Sequence, residues 1–468
     1  MASARSDERG DQDVGGREQV GTMNQRTPSE QRRLEESTPE VYDAIVIGAG
    51  ICGIIFLKYA SEQGLRCLAL EKQEDVGGLW RWLPAWQDIQ NRKEDFAING
   101  VPLDGVRQKD ILQHVREWVQ EYDLAPFIRP DHEVTSVSWK DEEWQVQTNK
   151  GTFRANYLIA ASGVQNKPWI PEVERSQSNI VEMHSSGVRR PENLADQRVT
   201  VVGGGTSAWD LIDLAIENGA REINWVYRGT KWCLPTTKTK QTARPNLREL
   251  SLLQTSKKSP KEVSATLQQL LRKKYDYFQL TEIEPAERFD IRRHQLIPGR
   301  SLMIQNLDVI SRYQSEIRSI RGHEITLANA ERFEADVVLW GTGYRINLDY
   351  LGLPEYTQVG TLDELRPKLG SLVRSIDHPN LFFLGMTLID STSSTPFFAA
   401  IEAKSIVAHI LGRCTIPKSN VPHHIVHWDL LRHFASFDHA NYPRFRWKIK
   451  CFLLVWWYRV FQSESVKI

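Results

Sequence analysis

The chain is 468 residues long, 41% hydrophobic and 25% charged, and its 59 basic residues balance 59 acidic ones. That length exceeds what one core usually serves and sets the expectation of two interleaved domains with appendages; the charge balance gives no case for a nucleic-acid partner. The five cysteines (Cys52, Cys67, Cys233, Cys414 and Cys451) form no C-x-x-C or C-x4-C pair and no metal-type spacing with histidine, which argues for a reducing, cytoplasmic setting without a disulfide scaffold or a metal site.

Residues 1–38 are rich in Arg, Glu, Gln, Ser and Gly and hold almost no large apolar side chain, so they read as a disordered tail. They contain no apolar core of a secretory signal. The chain then gives "DAIVIGAGICG" (43–53), a short apolar strand running into glycines and a helix, followed by "RCLALEK" (66–72), a second strand ending in an acid. A helix is predicted over about 109–122, with Ile111, Leu112, Val115, Trp118 and Val119 on one face, and antiparallel strands over 132–155. A second strand–turn–helix–strand spans 198–228, a polar-faced helical stretch covers 240–280, strands return over 316–340, and a strand–loop–helix covers 380–411.

Gly48, Gly50 and Gly53 satisfy G-x-G-x-x-G. The first makes the tight turn, the second lets the backbone approach a pyrophosphate, and the third lets helix and strand pack closely, with the helix N-terminus facing the phosphates. Glu71 closes the next strand, where a carboxylate accepts the ribose hydroxyls of an adenosine. Gly77 and Gly78 then let the backbone pass close to a bulky ligand, and Trp80 and Trp82 add flat aromatic surface.

"VTVVGGGTSAWD" (199–210) repeats the device, with Gly203, Gly205 and Ala208 in the G-x-G-x-x-A places. Its second strand ends in Arg228 instead of an acid. A carboxylate there repels a 2′-phosphate and a guanidinium binds it in a fork, so this unit reads as an NADPH site, with Thr230 and Lys231 as further phosphate contacts. The first unit reads as a site for an unphosphorylated adenine dinucleotide, FAD. The fold expected is α/β: two Rossmann-like dinucleotide-binding domains, the NADPH domain inserted in the FAD domain. The expected boundaries are 39–175 for the first part of the FAD domain, 176–325 for the NADPH domain, 326–415 for the return, and 416–468 for a C-terminal extension.

In order along the chain, "GAGICG", "EKQEDVGGLW", "ASGVQNKPWIP" (161–171), "GGGTSAWD", "GTGY" (341–344) and "NLFFLG" (380–385) resemble the class B flavin monooxygenases, the flavin-containing and Baeyer–Villiger monooxygenases, over about residues 40–412. The resemblance implies FAD contacts from Gly48, Gly50, Gly53, Glu71, Lys72, Gly78, Leu79 and Trp80, with Gly385 near the flavin's pyrophosphate side. It implies NADPH contacts from Gly203, Gly205, Thr206, Ser207 and Arg228. It also implies insertion of one oxygen atom from O2 into a small lipophilic substrate through a flavin peroxide, as heteroatom or carbonyl oxidation. One departure stands out: the family's F-x-G-x-x-x-H linker, followed by an aromatic, keeps His184 and Ser185, but Ser178, Ile180 and Val188 occupy the Phe, Gly and aromatic places. A flavin oxidase or a non-catalytic flavin-binding protein therefore stays open, whereas a disulfide reductase lacks its cysteine pair.

Three residues are candidates for the chemistry. Asn91, with Lys93 and Glu94, resembles the N-x-x-K-E stretch of heteroatom oxygenases, one residue shorter, and is suited to orient a hydroperoxide. Asp88, with Pro84, resembles the acid of the Baeyer–Villiger Y-P-G-x-x-x-D loop at a spacing one residue off. Arg300 is a candidate cation for an anionic peroxide. The helix "STPFFAAIEAKSIVAHI" (394–410), with Thr395 as cap and Pro396 in the first turn, directs its positive end at the flavin in this fold. The segment 445–461, aromatic and flanked by bases, is too short to span a bilayer and suits a peripheral membrane contact, a substrate entrance or a docked helix.

Overall fold

A computed structural model describes residues 41–89, 96, 103–235, 259–290, 294, 296–386 and 395–418. The expected tail 1–38, the segment 445–461 and the first part of the 240–280 stretch lie outside the described residues.

The apolar run VYDAIVI becomes β1 (Val41–Ile47), and α1 (Ile51–Ser61) starts four residues after it. β2 (Cys67–Leu70) lies parallel to β1, in the register Ala44↔Cys67 to Ile47↔Leu70. α2 (Gln108–Glu121) buries Ile111, Val115 and Trp118, as its helical spacing predicts. β3 (Ile128–Arg129) adds to the edge beside β2. β4 (Val134–Lys140), β5 (Glu143–Thr148) and β6 (Gly151–Ala160) form an antiparallel meander, and β6 then enters the sheet parallel to β1. Trp144 of β5 is fully buried, edge-on to Trp139 at 5.4 Å between ring centres.

The second sheet is parallel throughout its described strands. β7 (Val181–His184), β8 (Arg198–Val202), β9 (Glu222–Val226), β10 (Ser311–Tyr313) and β11 (Val337–Trp340) lie in the order β10-β9-β8-β11-β7. α3 (Thr206–Glu217) follows β8, and α4 (Pro260–Tyr277) is the described part of the helical stretch. α4 starts from a capping box in which Ser259 and Glu262 satisfy each other's backbone N–H groups. β12 (Leu381–Phe383) rejoins the first sheet beside β6, and α5 (Thr395–Ile410) packs on α1. Strand order reverses at β1 in the first sheet and at β8 in the second. The crevice at such a switch point, beyond the strands' C-terminal ends, is where open parallel sheets bind ligands.

The inserted-domain architecture is as expected, but one boundary moves. β11 pairs with β8 (Val199↔Val337 to Val202↔Trp340), so the return to the first sheet comes after Gly341 and not at 326. The four apolar residues of β11 are all buried and suit either sheet, which is why the sequence alone misplaces the crossing. The two crossing segments run antiparallel: Tyr344 pairs with Pro168 and Arg345 with Lys167. Asn166 and Asn347 exchange side chain–backbone hydrogen bonds at 2.8 and 3.0 Å, and the Arg345 guanidinium lies 5.1 Å from the Trp169 ring centre.

Gly341 is where β11 meets α3. A Cβ there would stand 2.7 Å from the Ala208 Cα and 2.8 Å from its N. Backbone cannot yield as a flexible side chain can, so Gly341→Ala is expected to cost about 1–3 kcal/mol. A lower thermal unfolding midpoint would register this, and an unchanged midpoint would refute the contact.

Candidate functional site

A single cavity of about 1120 Å³ runs along the C-terminal ends of the parallel strands of both sheets. In the first cradle Gly48 and Gly50 line it, together with Glu71 and Lys72 from the end of β2 and with Gly78, Leu79 and Trp80 from the following loop. Gly53 does not face the cavity. A Cβ on it would stand 2.0 Å from the Gly48 carbonyl oxygen, so its bare backbone is what lets α1 sit against the end of β1. The glycine pair divides its work: a Cβ on Gly77 would meet Leu112 of α2 at 2.4 Å, whereas Gly78 faces Gly50 across the cavity floor.

Glu71 is 4% exposed. The Ala49 N–H donates to its Oε2 at 2.8 Å and the Gln73 N–H to its Oε1 at 2.9 Å. Burial pushes its carboxyl above the usual range, against the pull of these backbone donors and of Lys72. Two N–H bonds leave acceptor capacity on a carboxylate, which offers about four lone-pair sites. A ribose diol presents the matching donors, so the residues present fit an adenine dinucleotide. The first turn of α5 also reaches the cavity through Thr395, Phe398 and Ala399. Thr395 is itself helical and not the expected cap, and the residues before it lie outside the described residues. Beneath, Gly385 lines the cavity while its N–H donates to Glu402 Oε2 at 2.7 Å, and full burial raises the Glu402 carboxyl to about 8.

In the second cradle Gly203, Gly205, Thr206 and Ser207 line the cavity. Chain neighbours aside, the nearest atom to a Cβ added at Gly205 is Lys231 Cε at 4.0 Å, and Gly205 lines the cavity. The tightest position is Gly204, where a Cβ would stand 1.8 Å from the Gly229 carbonyl oxygen. Trp225 fixes the turn from below by donating its indole N–H to the Gly203 carbonyl at 2.7 Å. Arg228 and Lys231 line the cavity as expected. Thr230 does not: its hydroxyl donates to the Ile283 carbonyl at 2.7 Å, which corrects its assignment as a phosphate contact.

His184 ties the two crossing segments together. Its Nε2 lies 2.8 Å from the Gly343 carbonyl and its Nδ1 2.9 Å from the Ser186 hydroxyl, with the Tyr344 ring edge-on at 4.9 Å. Ile180 and Val188, which replace the family's signature residues, are ordinary buried core, and the Val188 carbonyl accepts the Trp86 indole N–H at 2.7 Å.

Of the expected reactive residues, Asp88 lines the cavity at an isolated antiparallel bridge to Arg107. Asn91, Lys93 and Glu94 lie outside the described residues. Arg300 requires a correction, because it is 2% exposed and is not among the described residues lining the cavity. Its Nε donates to Asp210 Oδ1 at 2.7 Å. Burial opposes its charge, but Asp210, Asp88 and Asp213 outweigh that and raise its pKa. An arginine in a proline–glycine turn reads as a surface cation until α3 supplies Asp210. Sequence reading also missed Gly204, whose tightness depends on Gly229 of the next loop, and Glu316, which lines the cavity beside Arg228.

The sequence profile of the pyridine nucleotide-disulphide oxidoreductases matches residues 45–280, half of the chain. The chain belongs to the pyridine nucleotide-disulphide oxidoreductase family. The described cysteines are nonetheless all free, and burial raises the thiols of Cys52, Cys67 and Cys233 to about 12. The chain is 24% identical to a Baeyer–Villiger monooxygenase of Streptomyces coelicolor over 66% of both chains. It is 30% identical to a phenazine N-monooxygenase of Lysobacter antibioticus, over 42% of this chain and 38% of that one. It thus spans two thirds or less of these curated relatives. Among solved structures, OTEMO in complex with FAD and NADP superposes with a TM-score of 0.64 at 19% identity, covering 80% of this chain and 85% of that one. A flavin-containing monooxygenase from Stenotrophomonas maltophilia gives 0.60 at 19%, covering 80% of this chain and all of that one. No helix among the described residues is long and apolar enough to cross a membrane.

Burial lowers the pKa of His184 against the Gly343 hydrogen bond. The unfolded chain therefore takes up a proton, near pH 6.5, that the folded protein refuses. The His184 contribution to stability is complete above about pH 6.5 and declines as pH falls toward the folded pKa. His184→Gln is expected to flatten the acid side of the stability profile relative to the unaltered protein, while the contributions of His409, whose pKa burial also lowers, and of Glu402, whose raised carboxyl gives a slope of opposite sign below about pH 8, remain in both proteins. Unfolding midpoints measured across this range check it, and parallel profiles would refute it.

Proposed function

We propose that this chain is a flavin-dependent monooxygenase. It holds FAD in the first cradle, takes NADPH in the second, and places one oxygen atom of O2 into a small lipophilic substrate at nitrogen, sulfur or a carbonyl carbon. The observation that carries this reading is that one cavity joins two dinucleotide cradles, one closed by a buried carboxylate (Glu71) and the other by an exposed guanidinium (Arg228). The relatives support it through their names, which include both carbonyl and nitrogen oxidation.

Bound FAD would supply the redox chemistry, accepting a hydride from NADPH and then activating O2. The chain's own residues do the rest. Gly48 and Gly50 admit the pyrophosphate to the N-terminus of α1, and Glu71 holds the ribose while bracing the glycine loop through Ala49. Lys72, Gly78, Leu79 and Trp80 cover the same cofactor, and Gly385 is kept in place by Glu402. The positive end of α5 faces the cavity, where it favours negative charge. Gly203, Gly205, Thr206 and Ser207 receive the second pyrophosphate, and Arg228 receives the 2′-phosphate. Asp88 and Asn91 belong to the loop proposed to meet the substrate. Arg300 acts from behind Asp210, setting the charge on the cavity wall by way of that carboxylate. The segment 445–461 is proposed as a peripheral membrane or substrate-entry element.

The test is optical and then chemical. Purified protein is expected to show flavin absorbance or to acquire it with added FAD, and Glu71→Ala is expected to weaken FAD retention about tenfold or more, in line with losing charge-assisted bonds in a buried site. NADPH consumption should produce oxygenated product. A protein that stays colourless would overturn the cofactor assignment, and complete diversion of reducing equivalents to hydrogen peroxide with every substrate tried would overturn the oxygen transfer.

A further inference from the structure

β9 and β10 are parallel neighbours, so their C-terminal ends open on the same rim. Arg228 emerges two residues after β9 and Glu316 three residues after β10, and the Tyr227 N–H donates to the Tyr313 carbonyl at 3.0 Å where the two ends meet. The side chains converge. Arg228 Nη1 lies 3.5 Å from Glu316 Oε1, both line the cavity, and both are largely exposed, at 73% and 60%. The rim thus carries, side by side, the two groups that cradles of this type use for opposite ends: a guanidinium, which takes a 2′-phosphate, and a carboxylate, which accepts a free 2′-hydroxyl and repels that phosphate.

The structure assigns Glu316 as the residue that sets coenzyme discrimination in the second cradle: it competes with the 2′-phosphate for Arg228 and offers an acceptor to the unphosphorylated ribose. This rests on the reading of that cradle as the nicotinamide-coenzyme site. Three consequences follow from the geometry. Discrimination between NADPH and NADH is shallow, because each has a charged partner on the rim. Removal of the carboxylate charge deepens it in favour of NADPH. The gain shrinks with salt, because both side chains face solvent and the Debye length is about 8 Å at physiological ionic strength. The ion pair contributes little to folding, since both side chains face solvent, so its placement at the rim matters for the ligand and not for the core.

The experiment measures equilibrium binding of adenosine 2′,5′-bisphosphate and of 5′-AMP to the flavin-loaded protein and to its Glu316→Gln variant, at low and high salt. The expected result is a ratio of affinities that shifts about fivefold toward the bisphosphate in the variant, the size an exposed charge interaction carries. The shift should narrow at high salt and leave the unfolding midpoint unchanged. Arg228→Ala should move the ratio the opposite way. If both nucleotides bind and Glu316→Gln leaves their ratio unchanged, this assignment falls while the cradle stands. If neither nucleotide binds to either protein, the cradle reading itself is overturned, and the role of Glu316 goes with it.

Discussion

The whole arrangement depends on how closely a helix can be set on the end of a strand. At the first cradle the limit is reached at Gly53, whose absent Cβ would fall 2.0 Å from the Gly48 carbonyl oxygen. Any side chain there forces α1 away from β1, and with it the helix N-terminus that faces the cavity. The second cradle solves the same problem with different residues. Ala208 occupies the place of the third glycine, and the room it needs comes from Gly341 at the end of β11 and from Gly203. That debt to Gly341 couples the helix to the point where the chain leaves the second sheet, so the fingerprint and the domain crossing form one steric unit.

Polar contacts tie the crossing segments together, beside the charged Arg189, whose guanidinium donates to the Leu83 and Trp82 carbonyls. The crossing strands pair over Lys167–Pro168 and Tyr344–Arg345, Asn166 and Asn347 close the pair with reciprocal bonds, and His184 reaches the Gly343 carbonyl from β7. These are hydrogen bonds between neutral groups, most of them only partly buried, each worth about 0.5–1.5 kcal/mol net. With Ser178, Ile180 and Val188 in the Phe, Gly and aromatic places, the histidine's contact is still made: the Ile180 and Val188 side chains are buried in the core, and the Val188 carbonyl accepts a further bond from the Trp86 indole.

Much of this was legible in the sequence, and the residues say why. Strand, glycine turn, helix and terminal charge follow one another within some thirty residues, so Gly48, Glu71, Gly203 and Arg228 were fixed by local order and all four line the cavity. What could not be read were partners that meet only through the fold. Arg300 finds Asp210 from ninety residues away, Thr230 is drawn to the Ile283 carbonyl, and Glu316 reaches Arg228 because two parallel strands end together. The misplaced boundary has the same origin, since a short run of buried β-residues such as VVLW carries no mark of which sheet it joins.

The contrast between the two rims connects the fold to its use. Glu71 is buried at 4% exposure and fastened by two backbone amides, so its position is set before any ligand arrives and little ordering remains to be done. Arg228 stands in solvent, held by one long contact to a carboxylate that is itself exposed. The proposed 2′-phosphate binding there would reorganise two flexible side chains and exchange one ion pair for another, which lowers affinity and shortens residence. A cradle pre-set by its backbone suits a coenzyme that stays. A cradle whose charge must be released from a neighbour suits one that comes and goes, and a cavity shared by both is where a diffusing reductant can meet a resident acceptor.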